Sequence, residues 1–178
     1  MSSIVNFFDD YYVNVPSEGS QEKIAKAYLD HMDIGYNLTA KEISDYLNVS
    51  ELWVSRHVQA KYIWINSTAR YALNRYYPES KYKSLFKNKK LFKRSSFEFF
   101  LKNNTYYIVE PNKTKHSVVK LPERLITRSK SLEKYGVSYT TFYNKIKGSS
   151  VKKYFIHGQP RYSEKELDYL FIDMQHTL

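Results

Sequence analysis

Cysteine is absent from the 178-residue chain, which excludes disulfides and thiolate metal sites and fits a reducing cytoplasm. Also absent is any run near the roughly 18 apolar residues of a membrane span, so no membrane partner is expected. Residues 1–10 have neither a basic leader nor a long apolar stretch, and they do not read as a secretory signal. Common catalytic motifs are missing too: no glycine-rich phosphate loop, no His-Glu-x-x-His and no Gly-x-Ser-x-Gly. The five histidines (31, 57, 116, 157 and 176) are scattered without ligand spacing, and Asp9-Asp10 reads as a solvated pair. The expectation is a protein without enzymatic activity, catalytic residues, cofactor or metal.

Positive charge is abundant and unevenly placed. The chain carries a net +10. Residues 1–80 hold 7 Lys+Arg against 10 Asp+Glu, a net of −3, and residues 81–178 hold 21 against 8, a net of +13. On this reading the C-terminal half supplies most of the attraction to phosphate. Tyrosine is also frequent, with 18 residues. An AT-rich coding genome produces that bias, so the aromatics are not taken as base-stacking platforms on composition alone.

The charge gains meaning from a repeat. Residues 38–58 and 126–146 carry one pattern 88 positions apart: threonine at 39 and 127, Val-Ser at 49–50 and 137–138, and apolar residues at 54 and 142 and at 58 and 146. Each copy reads as a helix-turn-helix. In the first, Thr39 and Glu42 form a capping box, Ile43, Tyr46 and Leu47 the buried stripe, and Asn48 the tight turn. Ser50 then caps a helix with Val54 and Val58 inward. In the second, Gly136 takes the turn, Ser138 caps, Phe142 and Ile146 face inward and Gly148 stops the helix. A helix with apolar residues at 24, 27, 28 and 32 precedes the first copy, behind an arm or loop over residues 1–19.

A strand-turn-strand is expected after each second helix. In the first copy it runs from Tyr62-Ile63-Trp64-Ile65 through Asn66-Ser67-Thr68-Ala69 to Arg70-Tyr71. In the second it runs from Tyr154-Phe155-Ile156 through His157-Gly158-Gln159-Pro160 to Arg161-Tyr162, so Arg-Tyr recurs 91 positions apart. Ser163 and Glu166 then open a last helix with Leu167, Leu170 and Phe171 inward. Between the copies, residues 81–94 carry seven basic side chains and no acid, reading either as a solvated linker or as added phosphate affinity. Phe97-Glu98-Phe99-Phe100-Leu101 is a short helix or strand. Tyr106-Tyr107-Ile108-Val109 and Val118-Val119 are strands about a Pro111-Asn112-Lys113 turn, forming a hairpin that joins one unit or lies between them. The chain thus divides into an arm (1–19), a first unit (20–80), a basic connector with a hairpin (81–118) and a second unit (119–178).

In a helix-turn-helix the first helix braces the second, whose polar outer face reads base edges in the major groove. For the second copy that face is Tyr139, Thr140, Tyr143, Asn144 and Lys147, without an acid; Asn144 has the amide needed to pair with adenine. For the first copy it is Glu51, Leu52, Ser55, Arg56 and Gln59, and Glu51 is repelled by phosphate, though its carboxylate can accept from cytosine. The second copy is therefore the expected reader. Arg70 and Arg161 are expected near hairpin tips, where an arginine enters a narrow minor groove, and Lys152 and Lys153 add phosphate contacts. Each pattern also fits a plain helical hairpin whose serine and valine only cap and pack; the matched register of two copies favours the reader.

The order helix, Gly136-Val137-Ser138 turn, helix with Thr141-Phe142-Tyr143, hairpin, and Arg161-Tyr162-Ser163 leading to Leu167 and Leu170 resembles the winged helix of the MerR and phage excisionase group. Residues 38–77 resemble it less closely, with Asn48 in place of the glycine and no closing capping box. Tandem winged helices in one small chain also look like accessory DNA-binding proteins of conjugative elements and plasmid replication initiators. The resemblance implies a mainly α protein with small β-hairpins (α+β), built from two winged helix-turn-helix units in tandem. It implies double-stranded DNA as partner, with other proteins of a transfer or replication complex beside it. A monomer acting as an internal pseudo-dimer, or a homodimer, would cover two half-sites. The rival expectation is a protein-interaction module docking through Leu52, Trp53 and the residues 97–101.

Overall fold

The computed structural model describes residues 10–15, 18–110, 112–118 and 120–172. Over these the protein is α+β, with eight α-helices and two small antiparallel sheets. It divides into two compact units: Met1–Ser44 with Ser50–Phe100, and Asp45–Val49 with Leu101–Leu178. Asp9, Pro111, Val119 and His176, and most of the N-terminal arm, lie outside the described residues.

In the first unit, Ser20 caps α1 (Gln21–Asp33), its side chain accepting from the Lys23 amide. Strand β1 (Tyr36–Thr39) leads into α2 (Ala40–Leu47), and Thr39 Oγ1 accepts from the Glu42 amide at 3.0 Å, as expected of the cap. Asn48 turns the chain at φ 55°, and Ser50 caps α3 (Glu51–His57) by accepting from the Trp53 amide. Strand β2 (Tyr62–Trp64) follows, flanked by the arm: the Tyr62 amide donates to the Tyr11 carbonyl and the Val13 amide to the Tyr62 carbonyl.

The expected return strand at Arg70-Tyr71 is not there. Asn66 instead accepts from the Ala69 amide and caps α4 (Ser67–Tyr76). Ala69, Ala72 and Leu73 lie on one helical stripe, buried with Ile24, Ala25, Tyr28 and Met32 of α1. Burying such a stripe against α1 outweighs the turn tendency of Asn-Ser-Thr. After a 3₁₀ turn (Lys83–Leu85) comes β3 (Lys90–Lys93), the centre of the β1-β3-β2 sheet, then α5 (Arg94–Asn104). Much of the lysine-rich run is therefore structure, since Phe86, Leu91 and Phe92 are buried within it. Residues 97–101 are helical, with Phe97, Phe100 and Leu101 buried and Phe99 exposed.

The second unit holds the five-stranded sheet β5-β4-β7-β8-β6. Its strands are β4 (Thr105–Val109), β5 (His116–Ser117), β6 (Leu125–Ile126), β7 (Lys152–Ile156) and β8 (Gln159–Ser163). The hairpin between the copies belongs here, because β4 pairs with β7 from Thr105↔Ile156 to Val109↔Lys152, and its second strand is His116–Ser117 rather than one at Val118. Thr127 caps α6 (Arg128–Tyr135), Gly136 ends it at φ 61°, and Ser138 caps α7 (Tyr139–Lys147). Ser163 caps α8 (Glu164–Leu170). Phe142, Ile146, Tyr162, Leu167 and Phe171 form the core beneath α7.

Both units share one strand order: the strand before the helix pair bonds to the third strand, which bonds to the second. Leu38↔Phe92 and Ile126↔Tyr162 are the matching pairs. In the first unit, residues 65–89 separate the two hairpin strands; in the second, two residues do.

Candidate nucleic-acid interface

Helix α7 divides cleanly. Phe142 and Ile146 point into the core, while Tyr139 (50% exposed), Thr140, Tyr143 (42% exposed), Asn144 and Lys147 are exposed. The spacing explains this: 142 and 146 are one turn apart, and 139, 140, 143, 144 and 147 follow the opposite stripe. Tyr139 and Tyr143 stack at 6.2 Å between centroids, a contact of residues four apart on a helix. Lys152 and Lys153 are half-buried on β7, where neighbouring side chains project to opposite faces. Their ammonium groups stand 4.9 Å from the Tyr107 ring and 5.4 Å from the Phe155 ring.

Arg128 was not singled out by the sequence. It begins α6 directly after the Thr127 cap, and its guanidinium lies 4.7 Å from the Tyr139 ring. The available signal was its place beside the cap of α6, next to the exposed face of α7. Beneath it, burial pushes the Tyr162 phenol up to about 12, keeping it a neutral hydroxyl at the base of α7.

Two arginines stand elsewhere than the repeat suggested. Arg161 is 8% exposed. Its Nε donates to the Leu47 carbonyl at 3.0 Å and its Nη1 to the Pro160 carbonyl at 2.8 Å, within the second unit. Position 161 pairs with Tyr154 in mid-strand, and the tip of the hairpin is His157-Gly158, both at positive φ as a two-residue turn requires. Arg70 lies on α4 rather than a hairpin, and its Nε donates to the Phe86 carbonyl at 2.9 Å. Neither is placed to enter a groove from a tip.

In the first unit, Ser55 and Arg56 are exposed on α3, and Gln59 is exposed just beyond it. They share that surface with exposed Glu51 and with Leu52, which is 58% exposed. The Trp53 and His57 rings lie 4.8 Å apart between centroids and tilted by 43°. Unlike the α7 face, this one carries an acid. Among the described residues no three His, Asp or Glu side chains converge in a way that would hold a metal ion, and no helix is long and apolar enough to cross a membrane. Comparison of the chain with known protein families, with curated proteins and with solved structures finds no match.

Proposed function

We propose that the chain is a double-stranded DNA-binding protein whose second unit acts as a winged helix, with α7 in the major groove. The observation that carries this is the exposed, acid-free face of α7: Tyr139, Thr140, Tyr143, Asn144 and Lys147. Arg128 and Lys153 stand beside it as phosphate contacts, whereas Lys152, its strand neighbour, projects to the other face of β7 over Tyr107. The shared strand order of the two units supports a tandem arrangement, with the first unit as the weaker reader because of Glu51. By resemblance, the process served is transcriptional regulation or DNA transfer on a plasmid or phage.

Duplex binding at low and moderate salt tests the proposal. Affinity falls steeply with salt if the contacts are largely cation to phosphate. Asn144→Ala costs about 1–3 kcal/mol at one base and relaxes specificity there. Equal loss on every duplex would remove Asn144 from sequence reading. Failure of the chain to shift any duplex at low salt would favour the protein-docking alternative, for which exposed Leu52 and Phe99 are the remaining features.

A further inference from the structure

Beside α7 the second unit has a partly open cavity of about 50 Å³. Arg128, Lys153, Tyr139 and Tyr143 line it, with Glu110 as the one acid and Phe142 and Tyr162 among its apolar walls. That volume matches about one or two waters, room for the two non-bridging oxygens of a backbone phosphate and for little more. Both cations are held in place: Arg128 over the Tyr139 ring at 4.7 Å, and Lys153 near the Phe155 ring at 5.4 Å. The two tyrosines bring hydroxyl donors. Glu110 arrives from just beyond β4. The same spot feels all three groups, since the Tyr162 phenol, raised chiefly by burial, is pulled down by Arg128 and pushed up by Tyr139 and Glu110.

We infer that this cavity seats one backbone phosphate of a bound duplex between Arg128 and Lys153, and that Glu110, which lines the seat without an ion pair to either cation, weakens the contact. The inference rests on α7 being the DNA-reading helix. Its logic is like-charge repulsion at short range: a carboxylate in the wall of the seat repels the phosphate that the two cations attract. Glu110 is thus a brake on affinity, acting alike on every sequence because phosphate carries no base identity.

The test uses the full chain and a fluorescent random-sequence duplex, titrated between about 50 and 200 mM chloride, with Glu133→Gln as control. Glu133 is exposed on α6 and does not line the cavity. Glu110→Gln is expected to tighten binding about threefold beyond E133Q, and to steepen log K against log salt by up to about 0.9, the increment of one phosphate. Lys153→Gln and Arg128→Gln make the slope shallower by about the same amount, and the E110Q/K153Q double variant loses the gain. Glu110→Ala repeats the measurement should glutamine disturb the fold. Binding by E110Q and E110A no tighter than by E133Q overturns the inference while leaving duplex binding standing. A wild-type chain that binds no duplex takes down both.

Discussion

Arg70 and Arg161 each precede a tyrosine, and that likeness suggested equal places in two hairpins. One lies on a helix and the other is buried in a strand, so the dipeptide carried no positional information. For Arg161 the consequence is energetic. A buried guanidinium that donates to two carbonyls holds its chain segment in place, and bonds of this charged kind contribute about 1.5–3 kcal/mol. Arg161→Ala is therefore expected to lower stability by about that amount in denaturant melts. Duplex affinity, measured where the variant is still folded, should change little; a large affinity loss at unchanged stability would restore it to the interface. Glu166 makes a pH-dependent case. Burial raises its carboxyl above the ordinary value, against the pull of the Lys152 ammonium and backbone amide, and its Oε2 is buried without a hydrogen-bond partner among the described residues. A raised acid binds its proton more tightly when folded. Its contribution is present below the unfolded value and lost as pH rises through the folded one. Glu166→Gln should then raise Tm at pH 7, with the gain shrinking toward pH 4. A gain independent of pH would assign the effect to packing.

At the scale of elements, the helix pairs were legible because their signals are local. A cap, a stripe and a left-handed turn residue fall within about 20 positions, and Thr39, Asn48 and Ser50 act as their counterparts Thr127, Gly136 and Ser138 do. The first hairpin was not legible, because β2 and β3 find each other across 25 intervening residues, and nothing in either strand records the distance. The charge of the run hid β3 further: only Leu91 and Phe92 are buried, between lysines that read as solvated. Lys90 in fact sits 3.9 Å from the Tyr62 ring and 4.8 Å from that of Phe92, covering apolar surface with its stem. Phe92→Ala is expected to cost about 3–5 kcal/mol of stability, where a linker residue would cost almost nothing. The turns supply a finer test. A Cβ at Gly136 meets no atom within 4 Å, so its only penalty is the left-handed backbone at φ 61°. Gly136→Ala should cost about 1–2 kcal/mol and Gly136→Asn less, since Asn48 holds φ 55° in the other copy. Equal losses for the two variants would mean that the side chain, not φ, is being resisted.

Over the whole molecule, counting charge by halves misled. The two units do not follow the halves of the chain: with Asp45–Val49 grouped with Leu101–Leu178, the first unit holds 14 basic and 10 acidic residues and the second 14 and 8. The nets are +4 and +6, so charge no longer assigns the phosphate attraction to one unit. What separates them is where the acids lie: Glu51 stands on the exposed face of α3, whereas α7 has none. The grouping also makes the second unit discontinuous in sequence, since Leu47 supplies the carbonyl that Arg161 binds. A fragment of residues 101–178 lacks that acceptor and leaves a buried guanidinium donor unmatched, which costs about 1–3 kcal/mol or more for a charged group. The fragment should unfold at lower denaturant than the same unit in the full chain, and Arg161→Ala should cost it less than it costs the full chain. If the substitution costs both equally, the Leu47 carbonyl contributes nothing to the second unit, and residues 101–178 are sufficient for its stability.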